Sequence, residues 1–365
     1  MASSSHLPNI AVSVSLQALA TPGAGFGIIS HFVDQAEGAG NALGGARYIE
    51  YADSDAAVTS QAAGDITVQT LDMVQTAFLQ PTPPSSFRVV RVNTGGAETL
   101  LTARTAYELL GLSNVYCYTA YDRVVANQKQ FADSIEADVG VIYIAQVSDV
   151  AWLTAGLPAA WGAGTSYATM TQTHLTYHDT ATEWSDIAVA ARWLAFDPDL
   201  TSAPGEGQLG GVADYATFVT ETQRGLAQDT NSISILGTYG STDFWIDNVV
   251  SGDGRPFYER LTADWFIDRL SVRLQTMHQR EGLAGRKVLV ATSGQAQVYA
   301  VIKGLTDLAE RTGHFTPGQV VISSLAISAA DRSAQRLRFT VEAMIGISTR
   351  IFNVTANFST TPVIE

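Results

Sequence analysis

The sequence predicts an α/β fold in which a large α/β domain is followed by a smaller α+β domain. From about residue 26 to residue 250, apolar stretches of strand length alternate with helical patterns. One of these stretches, residues 140–144, is almost continuously apolar, which is typical of a sheet covered by helices on both faces. A polar turn at Gly252 and Gly254 then separates this region from a second unit with a long amphipathic helix and alternating strands.

A lone strand is predicted ahead of the large domain. Residues 10–16 alternate in polarity, with apolar side chains at Ile10, Val12, Val14 and Leu16. A glycine-rich link at 21–27 follows in place of a tight turn and a second strand. Because an isolated strand is not stable alone, we expect it either to join the edge of its own sheet or to add to a neighbouring subunit.

Strands and helices alternate through the large domain. Strands are predicted over 27–33, 87–92, 115–121 and 139–145, with a short extended stretch at 175–177. Helices are predicted over 67–80, 123–136 and 184–196, and residues 48–60 are predicted to form a strand followed by a short helix. This order favours a sheet whose strands are joined by helices on its faces.

The long helix of the second unit is predicted over residues 262–279. Thr262 stands where an N-cap is expected, and Asp264 follows in the first turn, where a negative charge suits the helix dipole. Apolar residues recur at helical spacing along one face: Phe266, Leu270, Leu274 and Met277. The face carries no histidine, cysteine or carboxylate pair, so the helix is predicted to hold a domain together.

One further helix and several strands complete the second unit. The pattern predicts an extended stretch at 287–291, a helix from Ser293 to near Gly313, a strand over 320–323 and a polar turn or helix at 329–335. Two alternating strands follow over 337–345 and 352–358. Their apolar positions include Leu337, Phe339 and Val341 in the first strand and Phe352, Val354, Ala356 and Phe358 in the second. The residues between the two strands are predicted to form either a hairpin or an extended arm.

The composition narrows the classes of protein. Hydrophobic residues make up 46% of the 365 residues and charged residues 15%, which favours either a surface covered by other subunits or an α/β enzyme with a large core. The net charge of −14 argues against nucleic-acid binding, because phosphate contacts need clustered lysine and arginine. The sequence has neither a long apolar run nor a signal-peptide pattern, so we expect no membrane insertion and assembly in a cytoplasm.

Two short motifs suggest ligands but lack the required context. Residues 205–210 match the letters of a dinucleotide-binding loop, yet they follow a loop rather than a strand, so a surface loop is predicted. His174 and His178 have a spacing that binds zinc on a helix, but an extended stretch would place them about 13 Å apart. No nucleotide, metal or other cofactor is therefore predicted.

The remaining reactive residues are also predicted to be structural. Asp197, Asp199 and Glu206 lack the ligand spacing of a calcium loop and are interpreted as a solvated loop. The single cysteine, Cys117, lies in an apolar run and is predicted to be a buried thiol. No serine lies in the Gly-x-Ser-x-Gly elbow of hydrolases, and no catalytic residue is assigned.

Arginine is concentrated near the C-terminal strands. Arg332, Arg336 and Arg338 lie within seven residues of an otherwise acidic chain. They form either a solvated face or an electrostatic contact with an acidic component of an assembly.

Segments in a fixed order carry a resemblance to a known family. The first segment is Asn9 to Gln17 together with 23–29. The second is EWSD at 183–186, which is followed by AARWLA at 190–195. The third consists of RPF at 255–257, ER at 259–260, DWF at 264–266 and RL at 269–270. Their order resembles that of the sheath subunits of contractile phage tails, in the branch of smaller myophages. The resemblance implies an N-terminal arm over 1–22, a sheath-type α/β domain over 23–250, an α+β domain over 251–348 and a C-terminal arm over 349–365.

The resemblance also implies a role in an assembly. In this family, extended terminal arms add strands to sheets in neighbouring C-terminal domains and tie hexameric rings into a helical sleeve that contracts. Here, the arm residues would be Ile10 to Leu16 and Phe352 to Phe358, with Leu337, Phe339 and Val341 in the receiving strand and Arg332 and Arg336 at the tube.

The implied partners are further copies of the chain, a tail tube protein, and baseplate and tail terminator proteins. The implied location is the virion tail, after assembly in the host cytoplasm. The alternative from another class is a cytoplasmic α/β enzyme with a small-molecule site at the ends of its strands.

Overall fold

A computed structural model describes residues 26–34, 42–112, 115–138, 140–162, 166–204, 206–217, 219–239, 242–247, 249–333 and 337–346. The strands are β1 (Ile28–Asp34), β2 (Tyr48–Tyr51), β3 (Ser86–Val92), β4 (Cys117–Ala120), β5 (Ile142–Val147), β6 (Thr173–Tyr177), β7 (Glu206–Gln208), β8 (Ser234–Tyr239), β9 (Thr242–Asp247), β10 (Phe315–Ser324) and β11 (Phe339–Ile345). The α-helices are α1 (Ser54–Ala62), α2 (Val68–Phe78), α3 (Leu100–Glu108), α4 (Val125–Glu136), α5 (Ala159–Gly162), α6 (Ser185–Leu194), α7 (Glu221–Gly225), α8 (Phe257–Leu283), α9 (Thr292–Arg311) and α10 (Ala329–Ser333).

Nine strands form one central sheet in the order β2-β3-β1-β4-β5-β6-β8-β9-β7. The six strands from β3 to β8 are parallel, while β2, β9 and β7 each pair antiparallel with a neighbour. Helices cross both faces, and every residue of β4, β5 and β6 is buried. The predicted α/β sheet covered by helices on both faces is therefore present, and most of its strands are parallel.

Separate apolar clusters cover the two faces of the central sheet. One cluster joins the sheet to α2, α6 and α8 and includes the buried Trp193 and Trp265. The other joins the opposite face to α3 and α4 and includes Trp152 and Trp161. The first cluster continues through α9 to Phe315 on β10 and to β11, so residues on both sides of the predicted boundary at 250 share one core.

The long helix begins earlier than the sequence predicts. Helix α8 starts at Phe257, directly after Pro256, whose fixed φ suits the entry to a helix. Thr262 is 1% exposed, and its hydroxyl bonds the Nδ1 atom of His314 at 2.9 Å, so the prediction that it caps the helix is wrong. Asp264 does not face solvent in a first turn but accepts hydrogen bonds from Tyr116 and Arg260.

Several other predicted elements differ from the structure. The stretch predicted as extended at 287–291 forms no strand, and α3, β8 and β9 appear where the sequence analysis assigned nothing. The surface loop predicted at 205–210 is wrong over Glu206–Gln208, because these residues form β7 at the edge of the central sheet. His174 lies on the buried strand β6 and His178 directly follows it, which agrees with the extended interpretation. Cys117 is fully buried, as predicted.

No helix among the described residues combines the length and the apolar composition that a bilayer crossing requires.

Candidate assembly interface

Strands β10 and β11 form a separate two-stranded antiparallel sheet, which we call the C-terminal sheet. Ile322 pairs with Val341, and Val320 pairs with Ala343. The register shifts between Phe315 and Val320, where β10 carries extra residues including a glycine with positive φ. A two-stranded ribbon has little stability by itself and depends on packing against another layer.

One face of the C-terminal sheet is buried against the helices. Val341, Ala343 and Ile345 belong to the same apolar cluster as α8 and α9, and Phe315 contacts Phe266 of α8 with ring centroids 5.1 Å apart. The other face carries the exposed Val321 on β10, which is 57% exposed. Among the described residues, the sheet is thus supported from one side only.

The outer edge of β11 carries backbone groups that no described strand pairs. Leu325 donates its N–H to the carbonyl of Arg338 at 3.0 Å, and Gly346 donates its N–H to the carbonyl of His314 at 2.9 Å. Even-numbered residues of β11 therefore point their backbone toward β10, because backbone direction alternates along a strand. Val341 and Ala343 then direct their N–H and C=O groups outward, where a further strand would find hydrogen-bond partners.

A loop from the central sheet ties α8 and the C-terminal sheet together. Asp199 accepts hydrogen bonds from Trp265 Nε1 at 2.9 Å and from Arg269 Nε and Nη2 at 2.9 Å and 2.8 Å. Although burial raises the pKa of Asp199, the bonds from Arg269 and Trp265 outweigh it and hold that pKa below its usual value. The predicted loop is solvated at Asp197, which is exposed, whereas the Asp199 side chain is 40% exposed and also binds α8, which the sequence analysis did not predict.

His314 completes this junction. Its Nε2 atom lies 2.7 Å from the carbonyl oxygen of Pro198 and must carry the proton, because a carbonyl only accepts. Its ring stacks on Trp265 with centroids 4.3 Å apart, and Nδ1 faces the Thr262 hydroxyl. Burial lowers the pKa of His314, so the neutral ring is favoured.

A second link anchors α8 on the central sheet. Tyr116 donates its hydroxyl to Asp264 at 3.0 Å, and Arg260 Nε donates to the same oxygen at 2.7 Å. Arg260 also reaches Gln172 at 3.2 Å. Together with the Asp199 junction, these bonds set the position from which the C-terminal sheet is presented.

The structure locates the predicted receiving strand but not the predicted arms. Phe339 opens β11, Leu337 lies just before it, and Val341 is buried within it. The predicted arm residues lie outside the described residues: Ile10, Val12, Val14, Leu16, Phe352, Val354, Ala356 and Phe358.

The arginine cluster divides in the structure. Arg332 is exposed on α10, whereas Arg336 lies outside the described residues. Arg338 donates to the buried Asp331 at 2.8 Å, and Asp331 also accepts from Ser328 at the start of α10. Arg338 is therefore engaged in fixing α10 beside β11, which its sequence position alone did not reveal.

The candidate ligand motifs are structural in the described residues. Gln80 donates to the carbonyl of Gly210 at 2.7 Å, and a Cβ at Gly210 would overlap the carbonyl oxygen of Leu79, so this glycine permits close packing on α2. His178 faces the carbonyl of Ala213 at 2.9 Å. Within the part of the chain that the structure describes, no three metal-ligating side chains converge.

Comparison with solved structures finds the same fold in components of contractile assemblies. A chain of the anti-feeding prophage baseplate matches with a TM-score of 0.65 at 12% sequence identity, covering 97% of this chain and 96% of that chain. A chain of the contracted sheath complex of PVC, an extracellular contractile injection system, matches with a TM-score of 0.60 at 12% identity, covering 97% of both chains. The sheath tail protein Lin1278 from Listeria innocua matches with a TM-score of 0.55 at 7% identity, covering 90% of this chain and 94% of that chain.

Sequence comparison gives a different result, since no protein-family model and no curated protein sequence matches the chain. The structural matches confirm the predicted resemblance at the level of the fold, along almost the whole chain. None of the three matching structures is described as an enzyme.

Proposed function

We propose that this chain, which shares the fold of contractile sheath proteins along nearly its whole length, is a structural subunit of a contractile sheath. The observation that carries the proposal is the match over 97% of both chains to a contracted sheath complex. The half-covered C-terminal sheet supports it independently, because such a sheet needs a further layer or strand. The enzyme alternative has no comparable support, since none of the three matching solved structures is described as an enzyme.

Strand addition at the C-terminal sheet is the proposed means of linking subunits. The outward backbone groups of Val341 and Ala343 would pair with an arm from a neighbouring copy, over Ile10 to Leu16 or Phe352 to Phe358. Main-chain pairing gives affinity without requiring a pocket. The buried face below Val341 fixes the receiving strand before the arm arrives.

The proposed assembly is a sleeve of stacked hexameric rings around a tail tube. Its partners are copies of itself, the tube protein, and baseplate and terminator proteins, and its place is the contractile tail of a virion assembled in the host cytoplasm. Arg332 and Arg336 are proposed to contact the tube. The arms at 1–22 and 349–365 would keep subunits tethered while the domains at 23–250 and 251–348 change contacts.

Contraction is proposed as a rigid-body rearrangement that drives the tube through the host envelope. Subunits would rotate from an extended state to one that buries more surface, so the free energy is stored in the assembly. No nucleotide or metal is required by this scheme.

Electron microscopy of the purified chain beside a variant lacking residues 1–18 tests the proposal. We expect rings or hollow sleeves from the full chain and their loss from the truncated variant, while both retain the same circular dichroism spectrum. A compact monomer unaffected by truncation would contradict the sheath function.

A peptide competition experiment tests the strand addition directly. A synthetic peptide of residues 8–18 is expected to occupy the outer edge of β11 and inhibit sleeve formation. The matched control peptide carries Val12→Pro and Val14→Pro, which remove two backbone donors. Equal inhibition by both peptides, or by neither, would show that this segment does not act by strand pairing.

A further inference from the structure

Charge is unevenly divided along the chain. Residues 1–250 contain 8 Lys and Arg against 25 Asp and Glu, a net charge of 8 − 25 = −17. Residues 251–365 contain 13 Lys and Arg against 10 Asp and Glu, a net charge of 13 − 10 = +3. Such opposite charges on two parts of one chain provide complementary surfaces for association between copies.

The positive part includes an exposed helical tip at the end of α8. We define the basic tip as Arg280, Leu283, Arg286, Lys287 and Leu289. Leu283 is 91% exposed and Leu289 is 54% exposed, although both are large apolar side chains. Arg280 and Lys287 are exposed and form no ion pair with any described residue.

The basic tip has a defined shape. Arg286 donates its backbone N–H to the carbonyl of Glu281 at 2.8 Å, and its guanidinium pairs with the nearly buried Glu281 carboxylate at 2.7 Å. Gly285 takes the positive φ that ends the helix, and Gly294 packs so closely on Leu289 that a Cβ there would overlap the Leu289 carbonyl. The exposed leucines are thus held by an ordered turn.

The negatively charged part of the chain, residues 1–250, contains an exposed helical hairpin. We define the acidic hairpin as Asp53, Asp55, Val58 and Val68, on α1 and the start of α2. Val58 is 44% exposed and Val68 is 70% exposed, and Asp53 and Asp55 are exposed. No Lys or Arg occurs from residue 48 to residue 87, and α1 buries only Ala57, so this helix is open to a partner.

The two surfaces complement each other in charge and in apolar content. On one, exposed carboxylates and exposed valines lie close together in the sequence, and on the other, exposed cationic groups and exposed leucines do. Apolar side chains supply contact area on desolvation, while the opposite charges fix orientation and raise the association rate.

We infer that the basic tip of one copy docks on the acidic hairpin of another copy. This contact goes beyond strand exchange and rests on the proposal that the chain self-assembles. It joins two different surfaces of the same chain, and such head-to-tail contacts produce rings or helical arrays. The contact is salt-dependent, because exposed charges are screened over about 10 Å at 0.1 M salt and about 3 Å at 1 M.

Charge reversal in the full chain tests this contact. The tip variant carries Arg280→Glu with Lys287→Glu, and the hairpin variant carries Asp53→Asn with Asp55→Lys, in which asparagine preserves the cap that Asp53 gives Ala56. Sedimentation velocity is expected to show that each variant associates about tenfold more weakly than the wild-type chain at low salt, and that the difference shrinks at high salt. A chain with both sets of changes, or an equal mixture of the two variants, is expected to recover association.

The control variant Lys303→Glu with Arg311→Glu changes the same net charge on α9, outside the basic tip. It is expected to associate like the wild-type chain. Equal weakening by this control, or no recovery in the combined chain, would overturn the docking and attribute the effect to net charge.

The outcomes separate this contact from the sheath function. Sleeves that form in all variants at all salt concentrations would overturn the docking and leave the sheath proposal standing. Salt-sensitive oligomers that respond to charge reversal without ever forming sleeves would support the docking and contradict the sheath function. A wild-type chain that stays monomeric at low salt would contradict both.

Discussion

The central sheet and the C-terminal sheet differ in how completely their strands are buried and paired. In the central sheet, β5 is buried along its whole length and pairs with neighbours on both sides. In the C-terminal sheet, β10 is exposed over much of its length, and β11 has one described neighbour. The central strands of the first sheet pair their backbone groups and bury their apolar side chains. In the second sheet, backbone groups at the outer edge of β11 pair with no described strand, and apolar side chains of β10 are exposed.

This difference indicates where stability and assembly reside. A sheet covered on both faces gains little from a partner, because its backbone groups are already hydrogen-bonded and its side chains are already buried. A half-covered ribbon with a free edge gains hydrogen bonds and burial from an added strand. We therefore expect substitutions in the central sheet to change folding and substitutions in the C-terminal sheet to act mainly on association.

The largest expected effect comes from removing one partner of a buried ion pair beside the central sheet. Asp186 is fully buried and binds Arg123 through both oxygens, at 2.7 Å and 3.0 Å. Asp186→Ala leaves the guanidinium without its counter-charge and is expected to lower the free energy of unfolding by about 3–5 kcal/mol, measured by urea denaturation.

A matched substitution on α9 gives the comparison. Asp307 pairs with Lys303 one helical turn away, and both side chains are about half exposed. Asp307→Ala is expected to cost no more than about 0.5 kcal/mol. Equal losses from the two alanine variants would show that burial does not distinguish these regions.

The next effect is the pH dependence of the central sheet. Burial lowers the pKa of His31 and of His174 to about 3, from an ordinary value of 6.5. The unfolded chain then takes up protons below about pH 6.5 that the folded chain refuses until about pH 3. The free energy of unfolding is expected to fall through this window by up to about 1.4 kcal/mol per pH unit for each ring.

Replacing His174 measures how much its imidazole ring contributes to the pH dependence of the free energy of unfolding. His174 contacts Phe257 and makes no hydrogen bond of standard geometry at either ring nitrogen, although the backbone of Val250 lies near the ring, so His174→Leu loses at most one weak hydrogen bond. The variant is expected to show a shallower pH dependence in denaturation between pH 4 and pH 6.5. The control is Ile144→Val, at the residue of β5 that pairs with His174. It should lower the free energy of unfolding equally at every pH, without changing the pH dependence. If His174→Leu showed the same pH dependence as the wild-type chain, His174 would not contribute to it and the prediction would be wrong.

The smallest expected effect lies within the C-terminal sheet itself. Ile345 is buried on β11, and Ile345→Val is expected to cost about 1 kcal/mol by removing one methyl group from the core. Val321 on the open face of β10 is 57% exposed, and Val321→Thr is expected to change the free energy of unfolding by less than about 0.5 kcal/mol. Thermal unfolding of both variants measures the difference. A larger loss from Val321→Thr would show that the open face is covered within the monomer.

The elements with strong periodic patterns were predictable from the sequence. The continuous apolar run at 140–144 indicated β5 and a sheet covered on both faces, and helix α6 was predicted within two residues at each end. Strand β11 followed from alternation at Phe339 and Val341. These features are local, because the spacing of apolar side chains along the chain determines which face they share.

Contacts between distant segments were not predictable in the same way. Thr262 has the chemistry of an N-cap, yet it faces His314 because α8 begins earlier, at Phe257. Asp199 is polar and lies in a loop, but Arg269 and Trp265 reach it from α8. Local sequence carries no signal for partners that folding brings together from more than fifty residues away.

The sequence by itself determined the alternation of elements, the low charge content and the opposite charges of the two parts of the chain, since each depends only on residue type and order. Only the tertiary structure decided which strands pair, that β11 keeps an outer edge without a described partner, and that Leu283 and Val58 remain exposed. The physical reason is that burial and pairing depend on which surfaces meet after folding. A pattern along one segment specifies the surface but not the partner that covers it.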